Sequence, residues 1–167
     1  ALAARRGWSL TVTGERLGRE GAVRLSPRGG LPWVVLARKG PEGPVTSFEA
    51  GSPRWADGTL AATLAPQASD PRALHRTLGP EATRLAQSLR PVPGPQGLLL
   101  LSDADPALRV ILDDLARALG SWAAPGRPVL VLSPEGLSLR LRGGPPRADR
   151  VERFVDLALD LSRVIGP

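Results

Sequence analysis

The sequence predicts an α+β fold. An antiparallel β-meander of about five short strands comes first, followed by helix–strand–helix–hairpin–helix, with helices packed on one face of a mixed or antiparallel sheet. Three observations carry this expectation. Short alternating runs fill the first 65 residues, with Gly and Pro at every junction. From residue 70 the texture changes to helical periodicity, with Asp-Pro start signals at Asp70-Pro71 and Asp105-Pro106. The last third holds one strictly alternating hairpin and a long apolar-striped helix.

After a short helical candidate over Leu2–Arg6, "WSLTVTG" from Trp8 alternates Leu10 and Val12 with Ser9, Thr11 and Thr13. "AVRLS" (22–26) alternates likewise, and "LPWVVLAR" (31–38) is a denser apolar run. "VTSFEA" (45–50) and "GTLAATLA" (58–65) are weaker strand candidates. The helix expected after Asp70-Pro71 carries Leu74 and Leu78, and Pro80 breaks or kinks it before a second stretch with Leu85 and Leu89. "RPVPGPQG" (90–97) reads as a connection, and "LLLLS" (98–102) as a buried central strand.

The next helix gathers Leu108, Ile111, Leu112, Leu115 and Leu119 on one side and closes at Gly120. "PVLVLS" (128–133) and "GLSLRLRG" (136–143), separated only by Pro134-Glu135, form the hairpin. A final helix from Ala148 to Ile165 presents Val151, Phe154, Val155, Ala158, Leu161 and Ile165. One domain over residues 1–167 is expected. The alternative is a β-rich part (1–66) beside an α/β part (67–167), divided near residues 66–70.

Two stretches echo each other. "VRLSPRGGL" (23–31) and "VLSPEGLSL" (131–139) share Ser-Pro-x-Gly between strands. Glu replaces Arg in the second, so "SPRGG" is expected to be a hairpin turn, not an anion loop. The helix ends "DLARALG" (114–120) and "DLSRVIG" (160–166) also match, which suggests a duplication or two helices packing alike on one sheet.

The chain carries a net charge of +6. Lys39 is its only lysine, a bias expected of a GC-rich bacterial genome. The excess is concentrated at the N-terminal end, where Arg5, Arg6, Arg16, Arg19, Arg24, Arg28, Arg38 and Lys39 face only Glu15 and Glu20. If one surface binds an anionic or aromatic ligand, it is expected at Arg5, Arg6, Trp8, Arg28, Trp33, Arg38 and Lys39. The commoner role of a tryptophan is core or interface, and that competes for Trp8, Trp33, Trp55 and Trp122.

Cysteine is absent, which removes disulfides, thiolate nucleophiles and thiolate metal sites. His75 is the only histidine, so no multi-histidine metal site forms within one chain. No phosphate-cradling glycine loop and no GxSxG elbow occurs. The Arg-Gly-Gly triplets at 28–30 and 142–144 end or turn strands and only superficially resemble RNA-binding repeats.

Asp103 and Asp105, after the "LLLLS" strand, occupy a position where α/β folds place active residues, although Asp105 also caps a helix. Glu152, Asp156 and Asp160 share a helix face and read as a solvated row. Neither a metal nor a cofactor is expected. With no methionine in the chain, the first residue has been removed or the sequence is a fragment, and a cytoplasmic location is the default expectation.

Three functions follow. The first is a non-catalytic protein-interaction or scaffold module, bound to a protein partner or to itself. The second is a weak, sequence-neutral binder of nucleic acid or another polyanion through the N-terminal arginines. The third is an enzyme with a carboxylate-based site.

Overall fold

A computed structural model describes residues 2–13, 22–30, 32–40, 43–51, 55, 58–64, 80–95, 97–103, 107–143 and 147–166. In chain order the elements are α1 (Leu2–Arg5), β1 (Trp8–Thr13), β2 (Ala22–Pro27), β3 (Trp33–Gly40) and β4 (Gly43–Ala50). Then come β5 (Leu60–Leu64), α2 (Pro80–Ser88), β6 (Arg90–Pro91), β7 (Leu98–Ser102), α3 (Ala107–Gly120), β8 (Val129–Ser133), β9 (Gly136–Arg142) and α4 (Ala148–Ile165). The class is α+β. Among the described residues all nine strands form one antiparallel sheet, ordered β1-β2-β3-β4-β9-β8-β5-β7-β6.

The first four strands follow each other as hairpins, but the order then departs from the sequence. β9 lies against β4, and β5 is inserted between β7 and β8. Strands from both halves of the chain therefore share one ladder. The helix expected directly after Asp70-Pro71, including His75, lies outside the described residues, as does Asp105. Pro80 occupies the first position of α2, where a missing N–H costs nothing.

Cross-strand partners share a face, so the register sorts the side chains. On one face Trp8, Leu25, Val35, Phe48, Leu139, Leu130, Ala62 and Leu100 lie strand beside strand, and all are buried. α3 brings Leu115 and Leu119 onto this layer, and α4 brings Val151, Phe154, Val155, Ala158, Leu161 and Ile165. Leu2 and Ala3 of α1 pack on its margin.

The other face has its own smaller cluster. Ala82 of α2 and Leu89 just beyond it cover Ala61, Leu99, Leu101 and Val129. Helices on one face only were expected, and α2 departs from that expectation. The reason is β7, where all five residues of "LLLLS" are buried, so Leu99 and Leu101 need an apolar cover opposite the one over Leu98 and Leu100. Beneath the helices two buried hydroxyls are satisfied: Thr63 Oγ1 donates to Pro128 O (2.8 Å) and Ser102 Oγ to Thr59 O (3.0 Å).

The two Ser-Pro-x-Gly segments both join antiparallel neighbours, but not by the same turn. In the second, Ser133 faces Gly136 directly, so Pro134-Glu135 is a two-residue connection. In the first, Ser26 and Pro27 belong to β2, and the connection is the longer stretch 28–32. Pro27 is tolerated there because its pair with Trp8 exchanges no hydrogen bonds and the β2–β3 register ends at Leu25 and Val35, before Pro27.

Candidate functional site

The seven N-terminal residues expected to form an anion site are distributed over different parts of the molecule. Arg5 and Arg6 point toward α4: Arg5 Nη2 donates to Glu152 Oε2 at 3.0 Å, Arg6 Nε is 3.5 Å from Glu152 Oε1, and Arg6 Nη2 also donates to Asp156 Oδ1. Two members of the acidic row on α4 thus seat the N-terminal turn. The Arg6 guanidinium also lies over the Trp8 ring, 5.2 Å from its centroid.

Trp8 and Trp33 are buried. Their rings meet edge to face at 5.4 Å, and Trp33 stacks on Phe48 at 5.5 Å. Trp122 meets Phe154 edge to face, and the buried Trp55 donates its Nε1–H to Gly58 O. Of the four tryptophans, Trp122 is half-buried and the other three are buried. Arg28 is exposed beyond β2. Arg38 and Lys39 are exposed at the far end of β3, five residues or about 17 Å along the strand from Trp33.

Asp103 has a structural partner. Its Oδ1 accepts from Thr59 N at 2.6 Å while its own N–H donates to Thr59 O at 3.1 Å, closing the entry to β5 beside the end of β7. Among the described residues no group of three or more His, Asp or Glu side chains is placed to hold a metal ion.

Two surfaces among the described residues are open to a ligand. The first is a groove of about 540 Å³ on the α2-bearing face, lined by Arg24, Val34, Glu49, Glu81, Ser138 and Arg140 among others. Its acids and bases are mixed, and Arg140 Nη1 donates to Glu81 Oε2, so part of its charge ties α2 to β9. Arg24 and Arg38 are exposed on the same face, which carries Glu49 as well.

The second surface is the outer side of β1. The Arg28 N–H donates to Gly7 O at 3.2 Å, which fixes the phase of the β1–β2 ladder. Backbone groups of Ser9, Thr11 and Thr13 therefore point toward β2, while those of Trp8, Leu10 and Val12 point away from it. No described residue pairs with that outer side. Leu10 and Val12 are also 55% and 63% exposed, two of the three large exposed apolar side chains among the described residues.

The opposite edge of the sheet differs. β6 is two residues long and ends in Pro91, so it offers little to pair with. β1 has six residues with no proline and no charge, and Trp8, Thr11, Val12 and Thr13 are good strand formers. Sequence reasoning found the strand but missed its importance. The legible signal was the lack of any charged residue, the usual protection of an edge. No helix among the described residues is long and apolar enough to cross a membrane. Comparison of the chain with protein-family models, with characterised proteins and with solved structures yields no match.

Proposed function

We propose that this protein is a non-catalytic interaction module that binds another polypeptide by adding its strand to β1. The observation that carries the reading is the outer side of β1, where the backbone of Trp8, Leu10 and Val12, which pairs with no described residue, coincides with the exposed Leu10 and Val12 side chains. Strand addition draws affinity from main-chain hydrogen bonds and specificity from alternate side chains, and both are present here in phase. The arginine-for-lysine bias belongs in this reading to a GC-rich bacterial genome, and the module works in the cytoplasm.

The test is amide hydrogen exchange of the chain with and without a panel of six-residue peptides that alternate apolar and polar residues. The expected result is protection of the Leu10 and Val12 amides by a subset of peptides, lost in the Leu10→Lys/Val12→Lys variant. Peptides that bind without protecting those amides, or no binding by any peptide, refute the reading.

A second reading rests on Arg24 and Arg38, exposed together on the α2-bearing face. It makes the chain a weak, sequence-neutral polyanion binder. A short labelled single-stranded oligonucleotide, titrated at two salt concentrations, then binds with an affinity that falls steeply with salt and drops further in Arg24→Glu. Absence of binding at low salt removes this reading.

A further inference from the structure

We infer that the strand added to β1 is β1 of a second copy, antiparallel about a twofold axis through Leu10, so that two sheets join into one. This inference rests on the strand-addition reading and names its occupant. Because the outward backbone belongs to Trp8, Leu10 and Val12, an antiparallel partner must place its own outward residues opposite them. A second β1 does so with Leu10 opposite Leu10 and Trp8 opposite Val12 of the other copy, and each copy's Val12 opposite Trp8. All outward N–H and C=O groups of these residues are then satisfied.

The register also continues the side-chain rows. Leu10 lies beside Leu25 on β2, so the row across the axis reads Leu25, Leu10, then Leu10 and Leu25 of the second copy. Val12 lies beside Val23 and Trp8 beside Pro27, so the next row reads Val23, Val12, then Trp8 and Pro27 of the second copy. The helix-bearing apolar face thereby becomes continuous, and four exposed apolar side chains, Leu10 and Val12 from each copy, meet in its centre.

Charge permits the pairing. β1 has no ionisable side chain, and Arg24, opposite Thr11 on the other face, shares a row with Ser9 and Ser26 of the second copy, not with its Arg24. A heterologous strand matches these rows only by coincidence, whereas the twofold matches them by symmetry. One strand pair and four side chains make an interface at the low end of sizes, below about 1,200 Å², so the dimer forms reversibly and with concentration.

Sedimentation velocity of the wild-type chain over a concentration series, with Leu10→Lys, Leu10→Glu and their equimolar mixture, tests the inference. The wild type is expected to shift from monomer to dimer, and each single variant to weaken the dimer by at least about 100-fold through like charges facing at the axis. The mixture is expected to recover a dimer, because Lys then faces Glu. A wild-type chain that stays monomeric throughout overturns the inference, and so does a dimer indifferent to Leu10→Lys.

Separate variants that dissociate but do not recover on mixing overturn the Leu10–Leu10 register. Should the variants fail to fold, concentration-dependent protection of the wild-type Leu10 and Val12 amides serves instead, and its absence overturns the proposal. A monomeric wild type that still accepts peptides at β1 leaves the strand-addition reading standing. One that accepts none removes both.

Discussion

Gly136 ends the second Ser-Pro-x-Gly segment and Gly30 follows the Gly29 that ends the first, and alanine at each gives different costs from the same chemical change. Both have positive φ, +86° at Gly30 and +149° at Gly136, so a Cβ is strained at either by about 1–3 kcal/mol. The surroundings then separate them. A Cβ on Gly30 meets nothing within 4 Å, whereas one on Gly136 falls 2.4 Å from Ala50 O and 3.3 Å from Gly51 Cα.

Relief at Gly136 requires the end of β4 to retreat by about 0.6 Å from a contact no closer than 3.0 Å. The adjoining pair Ala50–Leu137 is held in the ladder, so this overpacking adds about 1–3 kcal/mol. Gly30→Ala is therefore expected to cost about 1–2 kcal/mol, and Gly136→Ala about 3–5 kcal/mol. Urea unfolding followed by tryptophan fluorescence measures both. With a slope near 2 kcal/mol/M, the midpoints fall by about 0.5–1 M and 1.5–2.5 M respectively. Equal losses, within about 0.5 kcal/mol, refute the argument that the close approach of β4 dictates glycine at 136.

Three further outcomes follow from the packing. Phe48→Ala removes a fully buried ring stacked on Trp33; the expected loss is about 3–5 kcal/mol, a fall in Tm of about 6–20 °C by calorimetry. Thr63→Val keeps the shape but leaves Pro128 O without its donor, and the expected loss in urea unfolding is about 1–3 kcal/mol. A double-mutant cycle on the half-buried Arg140–Glu81 pair is expected to give a coupling of about 0.5–1 kcal/mol that shrinks in about 1 M salt.

Local structure was readable wherever it depends on period and punctuation. The bounds of α4 from Ala148 to Ile165 follow from its apolar stripe, and Gly and Pro mark most strand ends. Strand order was not readable. Nothing within "LAATL" says that its neighbours are β7 and β8, because pairing is decided by partners distant in the chain.

β6 was hidden because Arg90-Pro91 resembles a linker, although proline is acceptable on an edge. The α2-bearing face was hidden because the unbroken "LLLLS" does not say what covers each side. At the candidate site, Arg5 and Arg6 belong to ion pairs with α4, a pairing that composition cannot reveal. Leu10 and Val12 do face the core side of the sheet, as their alternation suggests. They are exposed because they lie beyond the reach of the helices.

The place of β9 has a consequence for how the chain is made. During synthesis the meander β1–β4 emerges first and can pair within itself, since its neighbours are sequential. Its outer strand β4 then waits for a partner that lies about ninety residues further on, and β5 waits for both β7 and β8. Until Gly136–Arg142 leaves the ribosome, the growing chain presents β4 as a further open edge, one with Pro44 and Glu49 where β1 has neither proline nor charge. Such long-range closure makes folding slow. A chain released before β9 is complete therefore leaves β4 without the partner it has in the finished protein, an added edge open to misassociation.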